Sequence, residues 1–130
     1  MFEHGQFYWN ELMSTNVEQA KAFYARTLGW SYESMPMPEG EYHIIKQGEN
    51  MVGGMMQMPA QMPAGTPSHW FSYVSVDDVD ARIAQVVAAG GQVVSAPFDV
   101  EGFGRFGIVQ DPTGATVGWM TPVPMENEQA

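Results

Sequence analysis

The pattern of apolar and polar positions changes period along the chain, and each change predicts an element. Residues 6–13 are mostly aromatic and apolar and predict a buried strand. Apolar residues then recur at helical spacing from Val17 to Leu28. Asn16 stands at the N-cap position, and Gly29 follows where the helix must end. The rest of this half predicts a strand, a loop and two more strands, at 30–34, 35–40, 41–46 and 51–58.

The second half of the chain repeats this order after a proline-containing linker at 59–67. Residues 69–76 predict a strand, and Asp77 and Asp78 cap the helix that follows. The apolar face of that helix is formed by Val79, Ile83, Val86 and Val87, and the helix ends at Gly90 and Gly91. Further strands are predicted at 92–95, 105–110 and 115–121, with a loop around Pro97 and a turn at 111–114.

Both halves therefore run strand, helix and three strands, which makes an internal repeat. Neither half can cover both faces of its sheet alone. We therefore predict an α+β fold of two paired βαβββ modules forming a curved mixed sheet around a cavity. The modules span about 5–60 and about 68–122 of a single domain, with a polar tail at 123–130. The concave face of such a sheet is a natural site for a small molecule.

The charge balance excludes several classes of partner. Fifteen acidic side chains face five basic ones, for a formal net charge of −10. Binding of nucleic acid or of an anionic membrane surface needs a basic patch, which five basic residues do not supply. The chain has no cysteine, which excludes disulfides and thiolate chemistry, and no apolar run long enough to span a membrane. Its first residues do not have the pattern of a signal peptide, so we expect a cytoplasmic protein.

Four segments resemble the glyoxalase/bleomycin-resistance/extradiol-dioxygenase group, the vicinal oxygen chelate superfamily. These segments are ELMSTNVEQAKAFYARTLGW, HWFSYVSVDDVDARIAQVVAAGG, PFDVEGFGRFGIVQDPTGA and TVGWM. The resemblance implies a glyoxalase-like domain of paired modules around a U-shaped cavity. It also implies a small-molecule ligand and, as in many members, a homodimer.

Metal-dependent members of this group place four His, Glu or Gln ligands on the first and last strands of each module. The corresponding positions, counted from the helix caps and the turns, are Trp9, Phe71, Gly54 and Gly118. A register slip of two residues keeps the same face and offers Glu11 and His69, with Met56 and Met120 at the other two positions. A catalytic metal needs about three protein ligands. We therefore expect no metal and no other cofactor.

Glu11 is the most informative residue, because it is a carboxylate in a strand of aromatic and apolar residues. Alternation places it on the same face as Trp9 and Met13. It is either a cavity group acting as an acid or base, or a structural carboxylate paired with an arginine or with backbone donors. His69 is a candidate catalytic partner for Glu11, against the alternative of a strand-end histidine with a local hydrogen bond. His43 has no obvious partner in the sequence.

Further ligand-binding candidates are Trp9, Met13, Phe71, Tyr73, Phe103 and Arg105. Phe103 and Arg105 belong to Gly102-Phe103-Gly104-Arg105-Phe106-Gly107, which matches the spacing of a dinucleotide-binding loop. That interpretation fails, because the motif needs a strand before it and a helix after it. Arg105 either meets an anionic group of the ligand or forms a salt bridge with Asp99 or Glu101.

Eleven methionines are an unusual number for a chain of this length, and seven of them fall between Met35 and Met62. Thioethers bind Cu(I), but the cluster lacks the histidine or cysteine support that is common at copper sites. Adaptable packing around a cavity or at a dimer interface explains the cluster better.

Three hypotheses about function follow. The first is a metal-free protein that binds a small organic molecule. The second is a lyase- or isomerase-type enzyme that uses Glu11, with His69, as acid and base. The third is an atypical metal-dependent lyase or dioxygenase, which the missing ligands disfavour.

Overall fold

The computed structural model describes residues 2–37, 40–60 and 62–123. Within these ranges the chain forms eight strands and two helices, and the order strand, helix and three strands occurs twice, as predicted. The elements are β1 (Gln6–Ser14), α1 (Val17–Leu28), β2 (Ser31–Met37), β3 (Gly40–Gln47), β4 (Asn50–Gln57), β5 (His69–Ser75), α2 (Val79–Ile83), β6 (Gln92–Val100), β7 (Gly104–Gln110) and β8 (Thr116–Pro122).

The chain divides into two compact units. We call Trp9–Phe71 the first module, and the described residues of Met1–Tyr8 and Ser72–Ala130 the second module. The segment before Trp9 is tied to the second module by hydrogen bonds. The backbone N–H of Gly5 donates to the carbonyl of Ser75 at 2.7 Å, and the N–H of Asp77 donates to Nδ1 of His4 at 3.0 Å.

The first module has the strand order β2-β3-β4-β1, in which β1 and β4 are parallel and the other pairs antiparallel. The predicted start and end of its helix are confirmed. Oδ1 of Asn16 accepts from the N–H of Gln19 at 3.1 Å, and Gly29 ends α1 with a left-handed φ of 76°. One face of the sheet packs with α1 in a core of Leu12, Val17, Ile45 and Met55.

The second module has the order β5-β8-β7-β6, with β5 and β8 parallel. In the core of this module, residues of α2 and of the turns that follow it pack against the sheet. Trp119 of β8 packs against the same core. Asp78 caps α2 as predicted, through a bond from the N–H of Ala81. The helix itself ends at Ile83, and Val87 is 71% exposed, so its predicted place on a buried helical face was wrong.

Parts of two predicted loops lie in strands in the structure, and residues 38 and 39 of the first loop lie outside the described residues. β2 continues through Met37, and β6 continues through Pro97 to Val100. Both strands stand at the end of their module's strand order, where a proline removes no hydrogen bond to a further strand. The pairing of β6 with β7 also shifts register on either side of Ser95, and such bulges accommodate Pro97.

Neither helix in the described part of the chain has the length and apolar character that crossing a membrane requires.

Candidate functional site

The face of the first module's sheet away from the α1 core carries Glu11, and we call it the Glu11 face. Strand register arranges this face in rows, because directly paired residues point the same way. One row contains Glu11, Gly54, Ile44 and Glu33. The next row contains Met13, Met56, Tyr42 and Met35.

Three side chains of this face form a chain of hydrogen bonds. The Tyr42 hydroxyl donates to Oε1 of Glu11 at 2.8 Å, and Nε1 of Trp9 donates to the same hydroxyl oxygen at 2.9 Å. Glu11 is only 8% exposed. A buried carboxylate needs such donors, because removal from water without them costs several kcal/mol. The shared face of Trp9 and Glu11, predicted from alternation, is confirmed.

Gly54 makes this contact possible. It pairs in register with Glu11, and a Cβ atom at position 54 would collide with the Tyr42 hydroxyl and ring. The phenol of Tyr42 therefore crosses β4 over the bare backbone of Gly54 and reaches Glu11 on β1.

In the second module, the corresponding pair is Tyr73 and Gly118. Tyr73 is buried, and its ring meets Phe106 edge to face with centroids 5.3 Å apart. Phe106 in turn stacks on Phe98 at 5.9 Å. In the row that corresponds to Met56, Tyr42 and Met35, the second module therefore has Met120, Phe106 and Phe98. Phe103 is half-buried at the turn that leads into β7.

The register makes Tyr73, rather than His69, the counterpart of Glu11. His69 stands at the start of β5, half-buried, with Nδ1 2.8 Å from the carbonyl oxygen of Pro67. That contact belongs to the local entry into the strand. A joint catalytic role of His69 and Glu11 stays a prediction.

His43 lies on the opposite face of the first module's sheet from Glu11. It pairs in register with Met55 and is buried beside the α1 core, with Nδ1 2.8 Å from the Ser34 hydroxyl oxygen. Burial lowers the pKa of His43, and the positive charge of Lys21 adds to the lowering. The neutral imidazole is therefore favoured at this position.

Arg105 points toward α2. Gly107, two residues later, is on the same face of β7 as Arg105. It lies so close to Ile83 of that helix that an added Cβ would collide with the Ile83 side chain. Phe106 lies on the other face. Arg105 forms a double hydrogen bond with Asp80, through Nε at 2.6 Å and Nη2 at 3.0 Å, and a third bond with Asp99 at 3.0 Å. The salt bridge with Asp99, which we considered as the alternative to ligand binding, is therefore present.

Both of these carboxylates border a cavity of about 490 Å³ in the second module. Its acidic lining residues are Asp77, Asp78, Asp80, Asp99 and Glu101. Arg105 lowers the pKa of Asp80 by hydrogen bonding, and Arg82 lowers that of Asp77 to about 2 in the same way. Both carboxylates are thus held in their ionised form, and both arginines are engaged by them.

A second cavity, of about 670 Å³, lies in the first module. Methionines from β2, β4 and the segment after β4 border it, together with Glu41 and Gln57. The methionines are Met37, Met56 and Met58. Met56 connects the cavity to the Glu11 face, because it pairs with Met13 on one side and Tyr42 on the other. Part of the methionine cluster therefore lines a cavity.

Comparison with known proteins identifies the family. The model of the Glyoxalase/Bleomycin resistance protein/Dioxygenase superfamily matches residues 7–118. This chain belongs to that superfamily. CFP32 of Mycobacterium tuberculosis, which carries the name glyoxylase, is 42% identical over 125 residues, covering 95% of this chain and 47% of CFP32. The anthracycline biosynthesis protein DnrV of Streptomyces peucetius is 30% identical over 126 residues, covering 88% of this chain and 46% of DnrV.

This superfamily member thus spans about half the length of the curated relatives it matches. Among solved structures, methylmalonyl-CoA epimerase from Mycobacterium tuberculosis has a TM-score of 0.69 at 12% identity, covering 95% of this chain and 94% of the epimerase. Such a likeness shows the fold. The predicted α+β, glyoxalase-like fold class is confirmed.

Metal-dependent members of the superfamily would place ligands on the first and last strands, so the residues there can be tested against a metal. The register gives Glu11 with Gly54 and Tyr73 with Gly118. One of these four positions carries a carboxylate and none carries an imidazole. Among the described residues, no group of three or more His, Cys, Asp or Glu side chains is placed to hold a metal ion. The residues do not fit the usual ligand set.

Sequence reasoning missed Tyr42 and Phe106, which contact the candidate residues directly. Alternation with the buried Ile44 was the available signal for Tyr42, since it places the tyrosine on one face of β3. Which face that is, and which residue it reaches, depends on the pairing of three strands that are far apart in the sequence.

Proposed function

We propose that this glyoxalase-superfamily protein binds a small, largely apolar or aromatic organic molecule against the Glu11 face, without a metal ion. The observation that carries the proposal is the buried Glu11 carboxylate, held by the Tyr42 hydroxyl on a face built mainly from aromatic, methionine and glycine residues. Ligand sites commonly combine such an apolar lining with a few oriented polar groups.

The neighbouring cavity supports an apolar or aromatic ligand. Methionine side chains adapt their shape and contact aromatic rings favourably through sulfur. Trp9 and Met13 complete the proposed lining from β1. Phe71, Tyr73 and Phe103 stay predictions as ligand contacts, and Arg105 is not carried into the proposal because Asp80 and Asp99 engage its guanidinium.

A second candidate function is acid–base catalysis by Glu11. The hydroxyl of Tyr42 orients the carboxylate, whose oxygens are proton acceptors when the group is ionised. An ionised carboxylate can take a proton from a carbon next to a carbonyl group and return it to the resulting enolate, which is an isomerase step. The glyoxylase name of CFP32 supports this candidate.

The experiment that tests both candidates is a thermal-shift panel in metal-free buffer, followed by turnover assays of each hit. The panel contains α-keto aldehydes, small aromatic ketones and, because DnrV is named for anthracycline biosynthesis, an anthracycline. We expect a rise in Tm with at least one apolar or aromatic carbonyl compound. Elemental analysis of the untagged protein accompanies the panel, and one tightly held divalent ion per chain would overturn the metal-free proposal.

Glu11→Gln separates the two candidates, with Glu33→Gln as the matched control. Glu33 lies in the same row of the Glu11 face but is exposed and paired with Lys46. Catalysis predicts that Glu11→Gln abolishes turnover and retains binding, while Glu33→Gln changes neither. Tight binding with no turnover by the unmodified protein supports binding alone. Equal responses of the two variants would show that Glu11 has no role in the site.

A further inference from the structure

We propose that Tyr42 is the positioning residue of Glu11, and that Gly54 is glycine because the Tyr42 phenol needs the space of a side chain there. The inference deepens the proposed function and rests on it for the importance of Glu11. Its geometry can be tested without any ligand.

The hydrogen bonds between Trp9, Tyr42 and Glu11 run in one direction. The Tyr42 oxygen accepts from Trp9 at 2.9 Å while its proton goes to Glu11 at 2.8 Å. A hydroxyl that accepts one bond becomes a better donor in the next, because successive hydrogen bonds polarise one another. The indole of Trp9 therefore strengthens the bond by which Tyr42 holds the carboxylate.

The two adjacent glycines of β4 are needed for different reasons. Neither Gly53 nor Gly54 has a positive φ, so their backbone conformation does not require glycine. A Cβ at Gly53 would lie 2.6 Å from the backbone carbonyl oxygen of Asn10, whereas a Cβ at Gly54 would collide with the side chain of Tyr42. The main chain of β1 explains the first glycine, and the phenol explains the second.

Position 54 lies on the last strand of the first module, in register with Glu11, where metal-dependent relatives are expected to supply a ligand. Any side chain at this position excludes the observed placement of Tyr42. A ligand at position 54 and a phenol bound to Glu11 are therefore alternatives, and this chain has the phenol.

The experiment for Gly54 is a double-mutant cycle, with Gly53→Ala as the matched control. We expect Gly54→Ala to lower the Tm by on the order of 5 °C in the unmodified chain, because it overpacks the face. In a Tyr42→Leu background the same substitution should cost almost nothing. Gly53→Ala should remain equally harmful in both backgrounds, because its obstacle is the Asn10 backbone.

The experiment for Tyr42 uses Tyr42→Phe, which keeps the ring and removes the hydroxyl. The indole N–H signal of Trp9, assigned from its loss in Trp9→Phe, should move in the ¹H–¹⁵N spectrum. The side-chain carboxyl ¹³C signal of Glu11 should move as well, while the other indole signals stay in place. Restoring tyrosine restores both signals.

Two results would overturn the inference, whatever the panel shows about ligands. One is a Gly54→Ala cost that persists unchanged in the Tyr42→Leu background. The other is a Glu11 carboxyl signal unaffected by Tyr42→Phe. If both experiments succeed and no ligand is found, the positioning of Glu11 stands and the proposed function fails.

Discussion

Strand β4 carries three methionines in different surroundings, and truncating each of them to alanine should separate core packing from site lining. Met55 is 0% exposed and belongs to the α1 core with Leu12 and Ile45. Met51 is 49% exposed near the start of the strand. Met56 is half-buried on the Glu11 face and borders the larger cavity.

The expected magnitudes follow from these positions. Met55→Ala removes the γ-methylene, the sulfur and the terminal methyl from a closed core, at about 0.8 kcal/mol per methylene-sized group before the cavity term. With the cavity term, the loss of unfolding free energy should be about 3 kcal/mol. For a chain of this size that corresponds to a Tm about 10 °C lower. Met51→Ala should stay within about 0.5 kcal/mol of the unmodified chain.

The assay is urea unfolding followed by circular dichroism, with thermal shift as the second measurement. Met56→Ala should cost about 1 kcal/mol, because its side chain is half-buried. Met56→Ala should also lower the affinity for any ligand found in the panel, whereas Met51→Ala should leave that affinity unchanged. Equal losses for Met55→Ala and Met51→Ala would refute the assignment of the helix-side core. If Met56→Ala left the ligand affinity unchanged, that result would refute the cavity as part of the site.

Two other predictions concern charge. Since the folded pKa of His43 lies below its ordinary 6.5, the unfolded chain takes up the proton first, and stability should fall as pH falls through 6.5. Urea midpoints between pH 8 and 5 should therefore decline more steeply for the unmodified chain than for His43→Gln, and parallel slopes would contradict this reasoning. Arg105→Gln should give a stability loss that shrinks in 1 M NaCl, because the bonds to Asp80 and Asp99 are exposed to solvent. Ligand affinity should not change, and a tenfold loss for a neutral ligand would return Arg105 to the site.

Local sequence signals predicted the parts of the fold that depend on neighbours along the chain. The caps at Asn16 and Asp78 are satisfied within three residues, through Gln19 and Ala81. Each cap can therefore be identified from a short window of sequence. The extent of β6 could not be identified in this way. A proline such as Pro97 predicts a loop unless its strand lies at the edge of a sheet. The edge position of β6 depends on the pairing of the whole module, which a short window of sequence does not show.

The candidate site likewise has residues whose position follows from the sequence of one strand and residues whose position depends on strand pairing. Alternation within β1 placed Trp9 and Glu11 on one face, and both prove to contact the Tyr42 hydroxyl. Tyr42 itself lies 31 residues from Glu11 and could not be connected to it from the sequence, because their contact depends on two strand pairings and on Gly54 between them. A side chain that reaches across a strand leaves no periodic signal.

Strand register shows which first-strand residues lie beside the two glycines of the last strands. Counting from the helix caps gave Trp9 and Phe71, whereas the residues level with Gly54 and Gly118 are Glu11 and Tyr73. The residues in register with the glycines thus lie two positions after those counted from the caps in both modules, on the same face of the sheet. In the second module this displacement leads from Phe71 to Tyr73, in the direction away from His69. The repeat therefore argues against His69 as the counterpart of Glu11. What stands opposite Glu11 on its own module is a glycine covered by a phenol, and that arrangement favours a hydrogen-bonded carboxylate over a metal ligand.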